Sequence, residues 1–369
     1  MRTIFINGKF SAQRITGVQR LATSLVLALD GLLQEIGNTD RWILLCPLGA
    51  KPPKLTRIEV SFTCAFFGGL HAWEQVLLPA ITFGRPLLNL AGPAPLFKCH
   101  QVCMIPDAAV FDYPQAYTFA YRTWYRLLFR KLSLSAGLLL TISEFSRQRL
   151  ILALGSRAQR IRLVNCAATH MKSVVPDFTV FNRFALDGVK YLLAVGSMNP
   201  TKNLPALLAA FRVITLPGVR LVLVGGANSA VFACESIYAD DDPRVISTGA
   251  ISDGELSALY RHAHAFVFPS LYEGFGIPPL EAMSLGCPVV ASRASSIPEI
   301  CGDAVLYFDP LDIQDMARAL ERILIKDALR DTLRKRGILR QDMFKWEYAA
   351  RQLYDHLTAV NLIDQPKSV

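Results

Sequence analysis

The stretch His264–Met283, "HAFVFPSLYEGFGIPPLEAM", runs from core-like residues through a turn rich in glycine and proline into a second apolar segment. Its opening "AFVF" is short, continuous and apolar, the pattern of a strand buried on both faces. Pro278 and Pro279 suit the first turn of a helix, where no amide hydrogen is required, so a helix is expected to begin near Ile277. Gly274 and Gly276 let the backbone come close to a ligand, and the amino end of that helix aims its positive pole at the same place. Glu273 stands before the helix and Glu281 one turn inside it, so the two carboxylates meet one ligand at different heights. Carboxylates are suitable acceptors for sugar hydroxyls, although either one alone also reads as an ordinary surface or capping group.

The same alternation extends through the chain. "RTIFIN", "RWILLC", "QVCMI", "GLLLT" and "IRLVN" in front, and "KYLLAVG", "RLVLVGG", "HAFVFP" and "PVVAS" behind, are apolar runs separated by stretches of helical length. Continuous apolar strands alternating with helices indicate parallel sheets covered on both faces, here in two doubly wound α/β domains. The weakly periodic segment from Cys166 to Val189 contains Pro176 and marks the boundary. The expected division is 1–170, 171–345 and a last helical segment, 346–369, returning to the first domain.

With 369 residues and 52% hydrophobic composition, the chain is long enough for two cores and far from a disordered composition. It offers no run of eighteen uninterrupted apolar residues, and "MRTIFINGKF" lacks the features of a secretory signal. Eight cysteines without a paired CxxC read as reduced thiols in a cytoplasmic protein. "CHQVC" at 99–103 has no second cluster with which to complete a structural zinc site. The net charge of +9 is uneven: 20 Lys and Arg face 8 Asp and Glu up to Lys172, against 19 and 22 beyond it. A basic front half favours an anionic partner there, a membrane surface or a phosphorylated substrate.

In open parallel sheets, ligands sit beyond the carboxyl ends of the strands. Two further loops at such ends draw notice. "VGSMNPTKNLPALLAAF" ends a strand at Gly196 and opens a helix near Leu204 with Lys202 at its mouth, an arrangement that suits an anion and equally a solvated lysine. In "STGAISDGELSALY", Ser252 or Asp253 caps a helix with Glu255 in its first turn, which requires no further function. "DDD" at 240–242 reads as a surface loop.

"PSLYEGFGIPPLEAMSLGCPVVAS" followed by "IPEICGDAVLYFDP" resembles the signature of the GT-B retaining glycosyltransferases of family four, in which a Glu is followed by seven residues and a second Glu. "LLAVGSMNPTKNLPALLAAF", "TGAISDGELSALY" and "FKWEYAARQLYDHL" are similar to the family in order and spacing. In front, "RITGVQRLA", "HAWEQVLLP" and "IPDAAVFDYP" resemble its acceptor-domain segments more weakly. The resemblance implies two Rossmann-like domains facing a cleft, with a nucleotide sugar held mainly by the second. It implies that Glu273 binds hydroxyls of the transferred sugar, and that Gly274, Phe275 and Gly276 supply amides near the sugar and diphosphate. Glu281 would hold the ribose, Lys202 with Ser197 nearby would meet the diphosphate, and the backbone around Ile251 would meet the base. Gly17 would join the donor site from the first domain, and Asp107 would stand near the reacting groups. No metal and no other cofactor is implied, because the helix dipole and Lys202 take the cation's role. Two positions depart from the family pattern: Thr201 stands where many relatives have Arg, and Pro106 where many have His.

The expected reaction is transfer with retention of a hexose, mannose from GDP-mannose by analogy with bacterial relatives, to a glycan or polyprenyl-diphosphate-linked acceptor in exopolysaccharide or O-antigen assembly. Alternatives are another GT-B enzyme such as a sugar epimerase, or a non-catalytic nucleotide-sugar-binding partner of a synthase. In "AYRTWYRLLFRKL", Arg122, Arg126 and Arg130 share a helical stripe with aromatic residues around it, which suits an anionic membrane surface at the inner face of the plasma membrane; nucleic acid is not expected.

Overall fold

The computed structural model describes residues 2–64, 69–155, 160–196, 199–226 and 242–362. Among these residues the strands form two wholly parallel sheets. The first contains β1 (Thr3–Asn7), β2 (Arg41–Pro47), β3 (Glu59–Thr63), β4 (Leu87–Asn89), β5 (Gln101–Met104), β6 (Leu138–Thr141) and β7 (Arg162–Leu163), in the order β3-β2-β1-β4-β5-β6-β7. The second contains β8 (Lys190–Val195), β9 (Val219–Val224), β10 (Val245–Gly249), β11 (Ala265–Phe268), β12 (Val289–Ser292) and β13 (Val305–Phe308), in the order β10-β9-β8-β11-β12-β13. In both sheets the order reverses beside the first strand, β1 or β8, and that reversal opens a crevice at the carboxyl ends of the strands.

The chain divides into two compact units. The first comprises the chain up to Phe111, Thr123–Cys166 and the helix that begins at Trp346; the second comprises Asp112–Arg122 and Ala167–Lys345. Asp112–Arg122 groups with the second unit rather than with the segments that flank it in sequence. The physical reason is a polar and aromatic anchor: the Tyr272 hydroxyl donates to Asp112 Oδ2 at 3.0 Å, and the rings of Tyr113 and Tyr272 lie 6.1 Å apart. In the first unit, the helix Trp346–Ala359 packs on the helix Gly17–Glu35. Asn38 Nδ2 donates to the Tyr354 hydroxyl at 3.1 Å, and Gln352 Oε1 accepts from the amide of Asn165 at 3.1 Å.

The core of the second unit shows why its short apolar runs become strands. Leu192, Leu221, Val267, Val290 and Phe308 from five strands meet Leu207, Phe211, Leu320 and Ile323 from the helices Leu204–Val213 and Ile313–Ile325. Each fully buried aliphatic side chain of this kind contributes about 1.5–3 kcal/mol. Cys287 and Cys301 are buried in the same unit, and burial pushes both thiols up to about 12, which leaves them inert. No helix among the described residues is long and apolar enough to cross a membrane.

Of the arginine stripe, Arg122 and Arg126 are half-buried and only Arg130 is exposed. Arg126 lies along the helix Phe119–Ser135, and its Nε donates to the carbonyl of Val110 at 2.7 Å. Arg126 and Arg130 both lie over the Phe111 ring, at 5.8 and 6.0 Å. Arg122 donates to the Pro114 carbonyl at 3.4 Å. The short helix Ala109–Asp112 leaves carbonyls without intrahelical donors, and the Arg126 guanidinium supplies those of Val110 and Phe111. Among the residues that the helix turns to solvent are Trp124, Leu127, Arg130, Lys131 and Leu134.

Candidate functional site

The carboxyl edge of the second sheet is built by glycines. β8 and β9 run directly into Gly196 and Gly225, β10 ends at Gly249, and the Gly225 amide donates to the Gly249 carbonyl at 3.0 Å while the Gly196 amide donates to the Val224 carbonyl at 2.9 Å. This lowers the strand ends to bare backbone. A Cβ on Gly196 would touch the Lys202 side chain at 3.5 Å, so the lysine runs along the edge itself.

Lys202 closes a short turn, Pro200–Lys202, whose cap is the Asn199 side chain accepting from the Thr201 amide. Asn203 then adopts a left-handed conformation at φ 54 and starts the helix Leu204–Val213. The Lys202 ammonium lies 5.3 Å from the centre of the Phe268 ring and 2.6 Å from Glu273 Oε1. The two side chains are 18% and 14% exposed, so each is largely withdrawn from water and held by the other.

The loop carrying Glu273 is latched by two serines that sequence reasoning missed. Ser295 Oγ accepts from the Glu273 amide at 2.9 Å, and Ser296 Oγ donates to the carbonyls of Glu273 and Phe275 at 2.9 Å each. Ser295 sits at φ 52, a strained value for a residue with a Cβ, of the sort that gathers at functional sites. Gly274, Phe275 and Gly276 are buried, and Gly276 at φ 109 turns the chain into the helix Ile277–Ser284. Among the described residues no side chain caps that helix. Of its first three residues only Ile277 has an N–H, so its amino end presents dipole and few donors.

Glu281 lies within this helix, buried, and is tied to a different set of residues. Its Oε1 is 3.1 Å from His170 Nε2, and its Oε2 accepts from the Tyr260 hydroxyl at 3.4 Å. Ile251 is half-buried in the loop after β10, just before the helix Asp253–His262. There the expected cap forms in full: Ser252 Oγ accepts from the Glu255 amide while Glu255 Oε2 accepts from the Ser252 amide.

The structure thus joins Lys202 to Glu273 directly and places Glu281 one turn further along the helix that follows the Glu273 loop. Gly17 and Asp107 belong to the first unit. Gly17 is the exposed first residue of the helix Gly17–Glu35, and Asp107 Oδ1 accepts from the Ala109 amide at 2.8 Å. Ser197 lies outside the described residues, as do Asp240 and Asp241 of the triple-aspartate run; Asp242 pairs with Arg244 at 2.7 Å.

Residues 179–340 match the family model of the glycosyl transferases group 1. O-antigen chain mannosyltransferase B of Escherichia coli is 34% identical over 226 residues, which cover 59% of this chain and 59% of that protein. The serotype-specific mannosyltransferase WbdA, also of Escherichia coli, is 30% identical over 56% of this chain and 25% of its own length. The alignments therefore span only part of each relative. Among solved structures, sucrose-phosphate synthase from Thermosynechococcus elongatus superposes with a TM-score of 0.72 at 22% identity, covering 97% of this chain and 100% of that one. The fold is GT-B.

Proposed function

Proceeding from a glycosyl transferases group 1 domain in the second unit, we propose that this protein transfers a hexose from a nucleotide diphosphate sugar to a lipid-linked or glycan acceptor, with retention at the anomeric carbon. The observation that carries this reading is the 2.6 Å pair of Lys202 and Glu273 beside the uncapped helix that begins at Ile277. A cation and a helix dipole suit a departing diphosphate, and a carboxylate beside them suits the hydroxyls of the sugar. The diphosphate leaves toward Lys202, and the acceptor hydroxyl attacks from the same face while the leaving phosphate helps to take its proton. The protein contributes positioning and stabilisation of charge on the leaving group, without a metal ion. The names of the relatives support mannose as the hexose and O-antigen synthesis as the setting, with GDP-mannose as donor.

The test is to offer the purified protein labelled nucleotide hexoses in the presence of chelator and a membrane extract. The reading expects label in lipid-extractable or glycan product and stoichiometric nucleoside diphosphate. Pro106, at a position where many relatives carry His, favours a second reading as a non-catalytic binder, for which the donor would bind and no label would move.

The exposed row of Trp124, Leu127, Arg130, Lys131 and Leu134 supports attachment to an anionic membrane, apolar side chains entering the interface and cations meeting headgroups. In flotation with phosphatidylglycerol-containing vesicles, the triple change Trp124→Ser, Leu127→Ser and Leu134→Ser should release most of the protein. Arg126→Gln should float like the unmodified chain, because that side chain serves internal carbonyls. Equal flotation of all three proteins would remove this surface from the account.

A further inference from the structure

We propose that His170 is a positioning residue for the nucleotide, holding the Glu281 carboxylate in the orientation that receives the ribose hydroxyls; this rests on the assignment of Glu281 to the ribose. His170 belongs to the short helix Thr169–Ser173, four residues beyond the point where the chain leaves the first unit at Cys166. The turn is fixed from below by Met171, which is fully buried, and Ser173 Oγ donates to the His170 carbonyl at 2.9 Å. An ionised carboxylate only accepts, so the ring nitrogen 3.1 Å from Glu281 Oε1 carries the hydrogen. The other ring nitrogen, Nδ1, is buried and has no hydrogen-bond partner among the described residues, so within them the contact with Glu281 is the ring's one hydrogen bond.

The geometry leaves the carboxylate half used. Its side chain is 8% exposed and that of His170 18%, so water cannot substitute freely for either partner. Tyr260 donates to Oε2 at 3.4 Å, so each oxygen has one protein donor and keeps a lone-pair direction for a second. The backbone beneath is held as well, since Ser284 Oγ donates to the Glu281 carbonyl at 2.8 Å. A carboxylate already fixed in rotation loses little freedom when two neighbouring hydroxyls dock on it, whereas a free one must be ordered by the ligand.

The experiment is calorimetry of GDP and UDP with the full chain, four single variants and two double variants, each checked for native circular dichroism. Whichever nucleotide binds, His170→Leu should weaken it about tenfold, the scale of one lost charge-assisted hydrogen bond. His170→Gln, which keeps a donor of similar reach, should stay within about threefold. In the Glu281→Gln background, His170→Leu should add less than about twofold, because the group it orients is already altered. Tyr260→Phe removes a single hydroxyl and supplies a second route to the same answer: it should weaken binding in the unmodified chain and change nothing beside Glu281→Gln. If Glu281→Gln weakens the nucleotide while His170→Leu and Tyr260→Phe leave it unchanged, the positioning role is wrong and the ribose assignment stands. If Glu281→Gln itself has no effect, or no nucleotide binds, the assignment fails and takes this proposal with it.

Discussion

Gly225→Ala is expected to cost about 3–5 kcal/mol of stability, the sum of left-handed strain and a steric clash that the sheet cannot relieve. Gly225 has φ +142, and an added Cβ would stand 1.8 Å from the carbonyl oxygen of Gly196. That carbonyl lies at the end of β8, whose Gly196 amide is bonded to Val224, the residue before Gly225, so neither strand yields without opening the ladder between them. The same displacement would move the edge along which Lys202 lies, so nucleotide affinity should fall together with stability. Gly218→Ala supplies the control, because Gly218 also has positive φ, +71, yet among the described residues beyond its chain neighbours nothing lies within 4 Å of the added atom. It should cost about 1 kcal/mol, the strain alone. Denaturant titrations that give the two variants equal losses would show that the close approach of the two glycine strand ends is not what the structure depicts.

The parallel sheets were legible wherever a strand is covered on both faces. "KYLLAV", "RLVLV", "AFVF" and "VVAS" read as apolar runs because β8, β9, β11 and β12 are interior strands with neighbours on either side. β3 escaped because it is an edge strand, exposed at four of its five positions, and has no need of an apolar run. β10 and β13 are also edges and carry mixed burial, while β4 is only three residues long in a proline-rich stretch. Arg126 of the arginine stripe was misread for another reason. Spacing gives the face of a helix, but which face turns inward depends on what packs there, and the carbonyls of Val110 and Phe111 lay beyond any helical period.

The site divides in a similar way. Glu273, Lys202 and Glu281 were legible as candidates because each stands at a strand end or in the first turns of a helix, positions that proline, glycine and periodicity mark in the sequence. Ser295 and Ser296 were not, since their bonds to the Glu273 loop span 22 and 23 residues and exist only because β11 and β12 are neighbours. His170 meets Glu281 across 111 residues from a segment whose only sequence signal was its lack of periodicity. Contacts of that length follow from topology rather than from local pattern.

The central claim is that Glu273 serves the transferred sugar and Lys202 the diphosphate, although in the structure the two side chains bind each other at 2.6 Å. Glu273→Ala should lower transfer at least about a hundredfold, near 3 kcal/mol of lost transition-state stabilisation. It should leave affinity for the bare nucleoside diphosphate intact or raised, because Lys202 is released from its partner. Lys202→Ala should lower transfer on the same scale and weaken the nucleoside diphosphate as well, since it removes the cation that meets the phosphates. Because the pair is largely withdrawn from water, the double variant should lose less stability than the two single losses added together. The deciding measurement is therefore nucleoside diphosphate affinity by calorimetry, set beside transfer rate, for the two single variants. The account predicts that transfer collapses in both while affinity falls only in Lys202→Ala; near-normal transfer by Glu273→Ala, or equal loss of nucleotide affinity in the two, would contradict it.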